Sequence, residues 1–245
     1  DAWYLPYIEY GRTQNIIDGP PKKTAFLGAN TVIKAEFLKM LLLAHEVDVQ
    51  SAYNEIRLPL ADDAMDVNQW WYPYMRYAIT ASMTMVSSQG TMDAGRQLTR
   101  GDTAVLLYRL LMYKAGRRTQ ALLSEAESEI LVILGSLEKN DLLQAQFASA
   151  RALLAARGAH FSKPDVAVVQ GALKITEAFR ALVRAYEAGV QQQYEEVVRL
   201  TGDAWHLASK AQEMDQNMAS LAADVQKIAK NMADSARALE AEVQQ

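Results

Sequence analysis

Cysteine is absent from the 245 residues, which removes disulfides, thiolate metal sites and cysteine nucleophiles. Histidine is almost as scarce. His45, His160 and His206 stand far apart and in no metal-binding spacing, so no metal site is expected. There is no GxSxG elbow and no glycine-rich phosphate loop behind a strand. No apolar run reaches the roughly 18 residues that a membrane-crossing helix needs. The chain is therefore expected to be neither an enzyme nor a cofactor carrier, and not to insert into a membrane. Proline is sparse, and all but Pro164 lie in the first third. A net charge of −4 and a pI near 5.5 argue against nucleic acid as a partner.

What remains is ample for a core: 50% of residues are hydrophobic. Helical spacing predicts a first helix over residues 1–14, with Trp3, Tyr7 and Tyr10 or Gly11 on one face. Residues 18–21 form a turn, and Lys22-Lys23 a solvated corner. A second helix is predicted over 31–46, burying Phe37, Met40, Leu41 and Ala44. A connector over 47–59 is expected to hold a short helical piece. A third helix is predicted over 67–81 and a loop over 87–97. The fourth helix opens at Leu98-Thr99-Arg100-Gly101-Asp102 and runs to about residue 115. Thr99 there is an N-cap with Asp102 three residues on. Asp102 and Glu36 both sit in first turns, where the helix dipole favours them.

From Thr119 onward, Ala, Leu, Glu, Gln and Arg dominate, as in long helices. Three are predicted: 119–157, a second from Pro164 to about 200, and a third from a joint at Thr201-Gly202-Asp203 to near the end. Val168, Ala172, Ile175, Phe179, Leu182 and Tyr186 form a heptad-like seam. Met214, Met218, Leu221, Val225, Ile228, Met232, Ser235 and Leu239 form another. An antiparallel three-helix bundle buries these seams within one chain. An intermolecular coiled coil is the alternative, with Met218, Leu221, Val225, Ile228 and Met232 as assembly residues. The acidic run Ser124 to Glu129 reads as a solvated face.

The first half is duplicated. Trp3, Pro6, Tyr7 and Tyr10 match Trp70, Pro73, Tyr74 and Tyr77 at one constant offset. Val32-Ile33-Lys34-Ala35-Glu36 then matches Leu98 to Asp102 with the offset changed by one residue. A Trp-x-x-Pro-Tyr helix followed by a helix opening Thr-Arg-x-acid resembles the S-layer homology module. Asn15 to Gly19, Phe26, and Ile33 to Glu36 continue the likeness in repeat one. Asp66-Val67 and Met75 continue it in repeat two. The likeness covers about the first 115 residues. Repeat one departs at Ile33-Lys34, and repeat two carries Val86 where the turn glycine is expected. Modules of this family usually come in threes, and two are visible here. The organisation expected is module one over 1–52, module two over 53–116, and a long-helix region over 117–245, all-α throughout.

The resemblance implies an exported, non-catalytic protein of the bacterial cell envelope that binds an acidic cell-wall polysaccharide. Its implied glycan contacts are Arg100 and Thr99, Lys34 as the repeat-one counterpart of Arg100, Trp70 and Trp3, and the Gly19 backbone. A guanidinium fork suits a carboxylate better than an ammonium does. Alternatives stay open. Arg100 could pair with Asp102, and a tryptophan in so short a module more often packs in the core. Trp70, Trp71 and Tyr72 cannot all point inward from one helix. A structural assembly protein that uses the modules for protein packing is the second functional expectation.

Overall fold

The computed structural model describes residues 2–17 and 28–243. Gly19, Phe26, the 18–21 turn and Lys22-Lys23 lie outside the described residues. Among those described, the chain is all-α, with nine α-helices and one short 3-10 turn. The repeated part supplies α1 (Leu5–Thr13), α2 (Lys34–Ala44), α3 (Tyr72–Thr80) and α4 (Arg100–Lys114). The remainder folds into α5 (Thr119–Glu138), α6 (Leu142–Ser162), α7 (Ala167–Val190), α8 (Tyr194–Met214) and α9 (Ala219–Val243).

The duplication is structural as well as sequential. α1 and α3 both have 9 residues and both carry proline in the first turn. Both end with a left-handed residue, Asn15 and Ser82. In both, the next residue donates back across the last turn, Ile16 to Gly11 and Met83 to Ala78. α2 and α4 start from extended N-caps of the same geometry, Ile33 at φ −86, ψ 161 and Thr99 at φ −84, ψ 166. Thr99 closes a full capping box: its Oγ1 accepts from Asp102 N–H, and Asp102 accepts from Thr99 N–H at 2.8 Å. Ile33 has no side-chain oxygen, so α2 keeps only the return bond, Ile33 N–H to Glu36 Oε2.

The helices are shorter than their predicted spans at the start. An Asp66 turn captures Asn68 and Gln69, so α3 begins only at Tyr72. Val32 and Ile33 are taken by a two-residue antiparallel pairing with Gln97 and Leu98, so α2 begins at Lys34. Residues 47–59 contain turns and no helical piece. The buried face of α2 is also rotated from the predicted one. Lys34, Ala35, Leu38, Leu41 and Leu42 are inside, while Ala44 is exposed.

The second half holds five long helices where three are predicted. Six helices (α1 to α5 and α7) end with the same left-handed residue and wrap-back bond, the residues being Asn15, Glu46, Ser82, Gly116, Asn140 and Gln192. Only Gly116 is glycine, so the break at Gln192 carries little signal in the sequence. Conversely α8 runs straight through Gly202, whose surroundings are open. The cost of an exposed helical glycine, about 1 kcal/mol, is outweighed by the burial of Val197, Leu200, Ala204 and Ala208. α6 likewise continues past residue 157 to Ser162. Asp215 caps the 3-10 turn Gln216–Met218, and this is where α8 gives way to α9.

Short loops fold α5 on α6, α7 on α8, and α8 on α9. The seam of α9 is filled from within. Val225 is fully buried, and Met218, Leu221, Ile228 and Met232 pack on the cluster formed by α5 to α8. The intermolecular coiled coil therefore loses its proposed seam. A second cluster runs from Ala35 to Leu173 and joins the repeats to α5, α6 and the start of α7. The hydrophobic core is continuous across residue 116.

One side of the acidic run faces that core. Glu125 is 8% exposed, and its Oε2 has no hydrogen-bond partner among the described residues. Burial first, then the nearby Glu129 carboxylate, push the Glu125 carboxyl up to about 7, while Ser82, Arg118 and Arg109 pull it down. A raised carboxyl stabilises the fold when protonated. That contribution is complete below pH 4.5, the ordinary value, and is lost as pH rises through 7. Glu125→Gln removes the loss, so it is expected to raise stability at pH 8 by roughly 3 kcal/mol and to change it little at pH 4. Urea melts of both proteins at the two pH values check this.

Candidate functional site

The start of repeat two builds a polar depression in the described surface. Asp66 bends the chain so that Trp70 projects outward, 50% exposed, Trp71 is half-buried and Tyr72 is 1% exposed. The Tyr72 hydroxyl donates to Leu58 O at 2.7 Å and accepts from Leu58 N–H. One turn on, the buried Arg76 guanidinium lies over the Tyr72 ring, 5.9 Å from its centroid, and donates to Val49 O and Ala52 O. These bonds pin the non-helical segment 49–58 against α3. The result is a hollow of about 230 Å³ whose wall includes Gln50, Asn54, Arg57, Gln69, Trp70 and Arg76. Arg57 donates to Asn68 Oδ1 at 2.8 Å, which leaves further donors of its fork for a ligand.

A second, more open hollow of about 510 Å³ is lined by Asp63, Trp71, Asp93, Ala94, Gly95 and Arg96. Both Asp63 oxygens accept backbone N–H groups, from Met92 and Asp93. Arg96 forks onto Asp102. The polar groups of this hollow are thus committed to holding the loop. The bonds from Arg96, first, and from Thr99 hold the Asp102 carboxyl well below the usual carboxylate range.

No protein-family model, no curated protein and no solved structure matches the chain. The site therefore has to be judged on its own chemistry.

The residues implied by the family resemblance are scattered. The Arg100 guanidinium is exposed and makes no hydrogen bond or ion pair with a described residue, because Arg96 takes Asp102 instead. The Thr99 hydroxyl is spent in the helix cap. Lys34 is inside the joint between repeats, 6% exposed, with Nζ donating to Met92 O at 2.8 Å. Burial, then the Arg96 charge, lower the Lys34 ammonium to about 8. Trp3 is not core: it is 81% exposed, edge-on to Tyr4 and Tyr7. Of the described residues of the set, only Trp70 lines either hollow. The amides Gln50, Asn54 and Gln69 and the arginines Arg57 and Arg76 were not singled out by sequence. Their only signal was the neighbouring Asn68-Gln69-Trp70. Among the described residues no group of three His, Asp or Glu is placed to hold a metal.

Proposed function

We propose that this chain is a non-catalytic cell-envelope protein whose duplicated part binds an acidic envelope polysaccharide, with α5 to α9 as a rigid helical spacer. The observation that carries the proposal is the composition of the Trp70 hollow. A sugar ring has an apolar face and a rim of hydroxyls. An exposed indole covers the first, and Asn and Gln amides both donate to and accept from the second. Arg57 offers a planar fork to a carboxylate substituent. Arg100, exposed and with no ion-pair partner among the described residues, is a further guanidinium for an acidic polymer. The motif likeness to S-layer homology modules supports an exported location. A second reading, a structural assembly protein, is favoured by the exposed apolar face of α4.

Co-sedimentation with purified cell-wall sacculi, with and without their secondary polymer, tests the proposal. The wild type is expected to bind only polymer-bearing sacculi. Trp70→Ala and Arg57→Ala are each expected to weaken binding about tenfold or more, equivalent to 1.4 kcal/mol, and Arg100→Ala less. Absence of binding, or equal binding by wild type and both hollow variants, overturns it.

A further inference from the structure

The two repeats meet in one joint inside the chain, and the chain also carries the two unmatched halves of a second such joint. In the joint that is made, α2 of repeat one buries Lys34, Ala35, Leu38, Leu41 and Leu42. α3 packs on this helix, and Leu38, Leu41 and Leu42 share a core cluster with Tyr72, Tyr74 and Met75 of α3. The loop that precedes α4 closes the end of α2. Lys34 N–H donates to Arg96 O at 2.8 Å and Ala35 N–H to Ala94 O at 3.0 Å, and Leu98 N–H donates to Val32 O.

Matching α2 with α4 from their N-caps places Arg100, Gly101, Ala104, Leu107 and Tyr108 at the five buried positions. All five are exposed. Tyr108 is 60% exposed, and Leu111 extends the same stripe. The Arg100 and Gly101 N–H groups make no hydrogen bond to a described residue, whereas those of Lys34 and Ala35 do. This is an apolar stripe with open donors at its head, and no described residue covers it.

The other half lies on α1. It matches α3 in length, proline position and terminal turn. α3 buries Tyr72 and Tyr74, whose counterparts Leu5 and Tyr7 are exposed, as are Trp3 and Tyr10. Gly28 to Val32, the counterpart of Ala94 to Leu98, is exposed as well.

We infer that a second copy of this chain completes the joint: α1 and residues 28–32 of one copy dock on α4 of the next, as α3 and residues 94–98 dock on α2. The Gly28 and Asn30 carbonyls of the docking copy take the Gly101 and Arg100 N–H groups, in the places of Ala94 and Arg96. The contact uses different surfaces on the two copies, so it is head-to-tail and propagates unless a rotation closes it into a ring. It does not rest on saccharide binding, since Trp70 and Arg57 belong to neither stripe; Arg100 alone is shared, and its guanidinium reaches polymer only where the α4 stripe is unfilled.

Sedimentation velocity of the full chain over a range of concentrations tests this. The wild type is expected to form concentration-dependent oligomers. Tyr7→Glu, on α1, and Leu107→Glu, on α4, change exposed positions, so each should keep the wild-type circular dichroism melt and sediment as a monomer. A mixture of the two variants retains one intact stripe of each kind and is expected to give a one-to-one heterodimer and nothing larger. A wild type that stays monomeric overturns the inference and leaves the stripes to a different partner. Association that survives either substitution, or a mixture that yields no heterodimer, overturns it too.

Discussion

Gly158→Ala is expected to destabilise the protein by more than about 3 kcal/mol. A Cβ built on Gly158 in α6 falls 1.8 Å from the carbonyl oxygen of Thr80, at the end of α3. That neighbour is backbone, and it cannot rotate away. Thr80 is itself fully buried, and the next residues turn through the left-handed Ser82. Either α6 moves off the repeat or the end of α3 unwinds, and both open the core that the two share. The same substitution at Gly202 meets nothing within 4 Å and lies inside α8. There it should stabilise by about 0.5–1 kcal/mol, by narrowing the unfolded ensemble. Urea unfolding of the two variants should therefore shift in opposite directions. A Gly158→Ala midpoint within error of the wild type would mean that the α3–α6 approach is not as close as it stands.

Gly158 also marks the limit of sequence pattern as a guide. In sequence it sits in Gly158-Ala159-His160-Phe161-Ser162-Lys163-Pro164 and looks like the end of a helix. In the fold it lies inside α6, a turn before the helix ends at Ser162, and its glycine is required by a residue far away in the chain. Thr99 and Asp102 lie at the opposite extreme: a cap and its partner three residues on are local chemistry, and both were legible. So was the duplication, because a Pro-led helix with a conserved-length end repeats its residues together with its geometry. Gln192 was not legible, because a wrap-back helix end built on glutamine resembles helix interior. Lys34 was not legible either, because a lysine enters a core only when a distant carbonyl, here of Met92, waits for it.

The candidate site divides in the same way. The family resemblance singles out Trp70, with core packing the favoured reading; the fold instead exposes Trp70 and buries Tyr72, as a row of three aromatics that cannot all face inward allows. The other wall of its hollow comes from residues 50–57, which owe their place to the buried Arg76 guanidinium reaching the Val49 and Ala52 carbonyls. Arg76 in the sequence is one charged residue in a helix, with nothing to indicate that it organises a loop. Glu125 and Glu129 repeat the lesson. Consecutive carboxylates diverge on a helix, but these two are four apart, share a face, and point toward the core.

Arg151→Met is expected to cost about 4 kcal/mol at pH 7, the second large effect. Arg151 on α6 is 6% exposed. Its Nε and one terminal nitrogen fork onto both oxygens of Glu129 on α5, at 2.6 and 2.8 Å, while the other nitrogen donates to Leu60 O at 2.6 Å. Methionine fills much of the volume but leaves the largely covered Glu129 carboxylate without its counter-charge, beside Glu125, and orphans the Leu60 carbonyl. The pair itself need not add net stability, since charges cost as much to bury as their attraction returns. The loss in the single variant is therefore expected to be largely recovered in Arg151→Met with Glu129→Leu, and a double-mutant cycle reads that recovery directly. Because Leu60 belongs to repeat two and Glu129 to the long hairpin, the same side chain ties the two halves into one cooperative unit. Trp70 and Trp71 report on the first half and Trp205 on the second, so single-tryptophan variants at residues 71 and 205 should melt together in the wild-type background. In Arg151→Met they should separate, with the residue 71 signal melting first; coincident transitions in that variant would leave the link between halves to the apolar core alone.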